Sequence, residues 1–220
     1  MRILKGEKTM SFILNNTSSA KRELLEPDYY IARCYAVIIT GTSFNQTFGN
    51  TQTKVTFLWE LPGVLISFEK DGETVTAPKT ISKSFTLSMN ERATLRKNLE
   101  SWIDRRFTDD ELNAGIDISK FCGTPCRLSI GQGQKQDGST YNSVDKVVRM
   151  KSDDKCPRLF NEKILFDITD PEQDLSVLDK LPAWIAETVR KSDEYQHRIY
   201  GDEEEDEGAP LEYNEEDIPF

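Results

Sequence analysis

The sequence predicts a mainly β fold: a small five-stranded barrel with one helix inserted between its third and fourth strands. Three observations carry that expectation. β-Branched and aromatic runs recur between residues 29 and 87 and again between 126 and 150. Between the two blocks the apolar period lengthens from that of a strand to that of a helix. Asp71-Gly72 and Asp137-Gly138 supply the dipeptide that closes tight hairpins.

Taken in order, residues 1–28 are polar, lack a sustained period and predict a flexible arm that ends at Pro27. Tyr29 to Thr40 reads as a long strand, with Ala32, Cys34 and Ala36 on a small inner face and Arg33, Tyr35 and Val37 on the other. A loop bracketed by Gly41 and Gly49 follows. Thr53 to Leu61 is a second strand, with Val55, Phe57 and Trp59 directed to the core, and Pro62-Gly63 ends it. Val64 to Ala77 reads as an extra hairpin turning at Asp71-Gly72, and Ile81 to Leu87 as a third main strand. Ser88 to Glu91 has the capping-box pattern. Leu95, Leu99, Trp102 and Ile103 then recur at the spacing of an amphipathic helix. Cys126 to Gly131 and Tyr141 to Met150 are the last two strands, joined by a glycine-rich loop. That order is the topology of an OB-fold, a partly open barrel whose strands and loops bind oligonucleotides. The barrel is expected over 29–150. An extension over 151–200 follows, with an added strand at Ile164 to Ile168 and a helix from Leu181 to Tyr195.

The net charge of −10 conceals a division. Residues 201–220 hold ten acids and no base, so the first two hundred carry 28 acids against all 28 bases. The body is neutral, and a basic groove is compatible with the acidic total because local charge governs binding. The tail is expected to be disordered, since a block of like charges cannot bury a core. No apolar run is long enough to span a bilayer. The start, from Met1 or alternatively from Met10, lacks the apolar stretch of a secretory leader, which predicts a cytoplasmic protein.

Enzyme signals are thin. His197 is the single histidine, there is no phosphate-binding loop, and Gly131-Gln132-Gly133 leads into a strand rather than a helix. Cys122 and Cys126 are spaced by three residues, unlike a zinc knuckle, and Cys34 and Cys156 stand alone, so the cysteines are read as small apolar residues. No catalysis, metal or cofactor is expected.

Binding signals are better. Single strands are held by cations along the backbone and by aromatic platforms beneath the bases. Phe44 and Phe48, in the loop after the first strand, are either such platforms or a lid folded over the barrel end. Arg33, Tyr35 and Lys54 share an outer face if Ala32, Cys34 and Ala36 point inward. Arg127, Tyr141 and Lys146 on the last two strands, and Lys135 in the loop between them, complete the candidate DNA contacts. The chain ends in Asp217, Ile218, Pro219 and Phe220. Phe220 suits an apolar pocket, its carboxylate a basic residue, and Pro219 limits the entropy lost on docking. This tip is the expected site for partner proteins. It resembles the acidic, Ile-Pro-Phe-terminated tip of bacterial single-stranded DNA-binding proteins.

Further along, Trp59-Glu60-Leu61-Pro62, Ser84-Phe85-Thr86-Leu87-Ser88, the run from Leu95 to Trp102, Phe121-Cys122-Gly123-Thr124-Pro125-Cys126 and Leu181-Pro182-Ala183-Trp184-Ile185 resemble a family of phage-encoded single-stranded DNA-binding proteins. The resemblance covers roughly residues 29–195. It departs at Trp102-Ile103-Asp104-Arg105, where that family carries an arginine–glycine pair after the tryptophan. It implies an OB-fold and action in phage DNA replication or recombination, with other proteins of those processes as partners. It transfers no DNA-contacting residue. The expectation is therefore sequence-tolerant binding of single-stranded DNA, and the alternative is an OB-like protein–protein adaptor that does not touch DNA.

Overall fold

The computed structural model describes residues 24–46, 49–70 and 72–201. Five strands form one antiparallel sheet in the order β3-β2-β1-β4-β5: β1 (Asp28–Asn45), β2 (Asn50–Lys70), β3 (Glu73–Thr86), β4 (Pro125–Gln134) and β5 (Thr140–Val148). The sheet curls into a half-barrel with an OB-like strand order. Its two outer strands approach each other where Lys83 of β3 donates its ammonium to the carbonyl oxygens of Val144 and Asp145 on β5. Helix α1 (Thr94–Ile103) packs on both and fills the remaining gap, and its Asn98 accepts a hydrogen bond from the Val147 amide at 3.0 Å.

The inner core is as the alternation of β2 predicts. Val55, Phe57 and Trp59 are buried with Leu95, Leu99 and Trp102 of α1. Phe57 stacks on Trp59 with ring centroids 5.7 Å apart, and Trp102 meets Phe121 at 4.9 Å.

β1 does not keep one alternation. Ala32 and Cys34 face the barrel, but the register slips between Cys34 and Ala36, where Cys34 opposes Trp59 and Ala36 opposes Leu58. The extra residue turns the strand over. Val37, expected outside, lies in the barrel core, whereas Tyr35, Ala36 and Ile38 face the opposite side. The slip sits where β1 changes neighbours. Residues 28–33 pair with β4, and Ala36–Ile39 pair in parallel with β6 (Ile164–Asp167).

Other boundaries also moved. Pro62-Gly63 does not end the second strand; it lies in an irregularity between Leu61 and Leu65, and β2 continues. The extra hairpin and the third strand are thus one ribbon. The helix expected at Ser88 begins at Thr94, because Ser88 and Asn90 spend their side chains on local turns. The capping box is instead at Thr108 and Glu111, opening α2 (Asp109–Ala114). The C-terminal helix is two helices, α3 (Ala183–Arg190) and α4 (Asp193–Tyr200), with Ser192 capping the second. Leu25, placed in the arm by the sequence, is buried: Asn142 and Gln132 bind its backbone.

A second core covers the far side of β1 and β2. Tyr35, Ala36, Ile38 and Leu58 pack against Phe166, Leu178, Ile185 and Val189. Among the described residues no helix is long and apolar enough to cross a membrane. The acidic tail, with Asp217, Ile218, Pro219 and Phe220, lies outside the described residues, as does Phe48.

Candidate nucleic-acid interface

The expected shared face of Arg33, Tyr35 and Lys54 does not exist as a free surface. Tyr35 is buried beneath the C-terminal extension, and burial pushes its phenol up to about 12. Arg33 points outward, but its guanidinium donates to the carbonyls of Gly123 at 2.8 Å, Pro157 at 2.9 Å and Cys156 at 3.1 Å. On the neighbouring strand, opposite Arg33, Glu60 is fully buried. Its carboxylate accepts from the Phe160 amide at 2.9 Å, the Asn161 amide at 3.0 Å and the Asn161 side chain at 2.8 Å. One residue takes the carbonyls of the 156–161 strap and the other its amides. Together they bind a segment that contributes no strand.

Lys54 and Phe44 lie at the other end of β1, by the β1–β2 loop. Lys54 donates to Gln52 and to Thr86, and Phe44 is 63% exposed. The fold-back reading of Phe44 is thereby excluded.

The remaining four candidates come together. Leu128 and Ile130 of β4 point into the barrel, so Arg127 and Ser129 point out. Ser129 stands between Tyr29 of β1 and Lys146 of β5 in the sheet. The Arg127 guanidinium lies 5.0 Å from the centre of the Tyr29 ring. A second contact, to Asp154 at 3.7 Å, holds the same side chain. Further along this face Tyr141 opposes Gly133, whose missing side chain leaves room for the ring: a Cβ there would stand 2.8 Å from it. Lys135 is exposed in the turn beyond. Tyr29, Arg127, Lys146 and Tyr141 therefore share one outer face of β1, β4 and β5, with Lys135 in the turn beyond; Asp154, paired with Arg127, and Asp145, beside Gly131, are acids among them.

Tyr29 was legible as a strand residue but not as a site residue. Its place depends on pairing with Ser129, a contact a hundred residues away along the chain. The face presents aromatic rings beside cations. Among the described residues no group of histidine, cysteine or acid side chains could hold a metal ion. Burial pushes the Cys34 and Cys126 thiols up, away from nucleophilic thiolate.

At the Phe44 end, α4 is latched to β1. Glu194 accepts from the Thr42 amide at 2.7 Å and from its hydroxyl at 2.6 Å. Gly41 (φ 88) makes the approach possible, since a Cβ there would meet Ser192 at 2.5 Å. Burial alone would raise the Glu194 carboxyl, but the Thr42 bonds outweigh it and hold it below its ordinary 4.5. A carboxyl lowered in the folded state stabilises above its ordinary range and loses that contribution as pH falls through the lowered value. Amide exchange at Thr42 should therefore accelerate in acid below the usual carboxylate range, ahead of global unfolding. In Glu194→Gln it should be fast already at neutral pH. Equal protection of Thr42 in both proteins would refute the latch.

Compared with protein-family models, with curated proteins and with solved structures, the chain has no match in any of the three.

Proposed function

We propose that the protein binds single-stranded DNA without sequence preference along the outer face of β4 and β5. The observation that carries this reading is the placing of Tyr29, Arg127, Lys146 and Tyr141 on one outer face of an OB-like half-barrel, with Lys135 exposed in the turn beyond. Bases stack on the tyrosines, and phosphates pair with the cations. Neither contact distinguishes one base from another, because every base has a π-face. Arg33 and Tyr35 have no part in it, being committed to the fold. Phe44 of β1 and Lys54 of β2 lie at the β1–β2 loop end of the sheet, apart from this patch, and serve only a longer strand.

The last residues of the chain recruit partner proteins of replication or recombination through Asp217, Ile218, Pro219 and Phe220, and compete with DNA for the cationic face. Titrating labelled oligo-dT into the protein tests the reading. Affinity should fall with salt, with a log–log slope of about −0.7 for each phosphate neutralised. Removing Asp202 to Phe220 should tighten DNA binding and abolish partner recruitment. A protein that leaves oligo-dT unshifted at low salt is an adaptor instead, and weaker binding after truncation would rule out the competition.

A further inference from the structure

Independently of DNA binding, the protein carries a largely apolar concavity that shares no lining residue with the tyrosine–cation surface. It is a groove of about 1020 Å³ between the base of the β2–β3 ribbon, the start of α3 and the chain at Leu24. Four large apolar side chains on its walls are open to solvent: Leu24 (39%), Leu65 (63%), Ile66 (42%) and Trp184 (48%). Isolated exposed apolar residues are ordinary, but four on one groove mark a contact surface. The sequence places Trp184 on the same stripe as Ile185 and Val189; in the fold those two are buried in the second core and Trp184 is turned to the groove.

We propose that this groove seats Phe12-Ile13-Leu14 of the same chain. Three observations select that occupant. First, the chain enters the groove wall at Leu24, and the next residue is fixed there by three hydrogen bonds to Asn142 and Gln132. The residues between Leu14 and Leu24 reach up to about 30 Å, ample for the groove, and so short a tether gives the segment an effective concentration in the millimolar range. Second, Phe12-Ile13-Leu14 is the longest apolar run in residues 1–23. Third, the charges agree. The groove carries Glu26 and Glu187 against Lys79, and residues 1–23 carry five bases against two acids. The tail from Asp202 onward, with ten acids and no base, is repelled by the same rim.

Trp184 is a built-in reporter, because the other two tryptophans, Trp59 and Trp102, are buried in the barrel. In the full chain, acrylamide should reach Trp184 poorly. In the full-length triple variant Phe12→Ser, Ile13→Ser, Leu14→Ser the emission should shift to the red, and the fraction open to quencher should rise by the share of one indole in three. Trp184→Phe should erase the difference between the two backgrounds. Glu187→Lys should expose Trp184 as well, and Lys21→Glu with Arg22→Glu in that background should restore its protection. Identical quenching of the parent and the triple variant overturns the proposal. So does protection that disappears on dilution together with a dimer, which would seat a second copy's segment there. Protection that appears only when oligo-dT is added assigns the groove to nucleic acid and overturns it too.

Discussion

Replacing Glu60 by alanine should cost about 3 kcal/mol or more of folding free energy, read as a lower urea midpoint at an unchanged slope. The side chain is fully buried and its two oxygens take three N–H donors, two of them from the backbone at Phe160 and Asn161. Alanine leaves those part-buried donors without their acceptor, and a donor left unmet costs about 1–3 kcal/mol. The loss is not an ordinary cavity effect, because the partner is backbone and cannot be redirected. Glu60→Gln keeps one acceptor oxygen and should lose roughly half as much. Amides 160 and 161 should exchange faster in both variants. Stability within about 0.5 kcal/mol of the parent for Glu60→Ala would show that the strap is held some other way.

Tyr29→Ala combined with Tyr141→Ala should weaken oligo-dT binding by a factor on the order of 30 to 10⁴ if each ring carries one stacked base, since such a base is worth about 1–3 kcal/mol. The salt slope should be unchanged, because neither ring neutralises a phosphate. Arg127→Ala with Lys146→Ala should do the reverse, flattening the slope by about 1.4. It also removes the cation seated against Tyr29 and the bond to Asp154, so its total effect exceeds the electrostatic part. All four side chains are partly exposed, and the fold should survive. Phe44→Ala locates the strand: a change confined to long oligonucleotides would extend the path to the β1–β2 loop. If the tyrosine pair leaves affinity untouched, the outer face of β4 and β5 is not the binding surface.

Much of the architecture was legible because it depends on local chemistry. The alternation of Val55, Phe57 and Trp59 fixed the inner face of β2, Gly72 (φ 82) marked the ribbon's turn, and the spacing of Leu95, Leu99 and Trp102 fixed the buried side of α1. What escaped depends on pairing across the chain. Tyr35 does lie outside the barrel, as counting in twos from Ala32 places it, but the C-terminal extension covers it; Ala36 and Val37 exchange faces, because the count is sound only until a residue is inserted. The insertion is dictated by β1 leaving β4 for β6, and no local signal announces that exchange. Arg33 was read as a phosphate ligand because a cation on a strand face is ordinarily free. Its engagement requires carbonyls from residues 123, 156 and 157, remote in sequence. Ser88 to Glu91 has the capping pattern but not the helix, whereas the acidic turn at Thr108 has both; residue type alone does not decide between them. The grouping of Arg127, Lys146, Tyr141 and Lys135 was recoverable from neighbouring hairpin strands, and Tyr29 was not.

The slip at Tyr35 has a mechanical consequence. Through it a single strand lends Cys34 and Val37 to one hydrophobic cluster and Ala36 and Ile38 to another. β1 is thus a party wall between the barrel and the C-terminal lobe, with no independent backing on either side. Neither room can be emptied without exposing the wall to water, so the two halves are bound to melt as one.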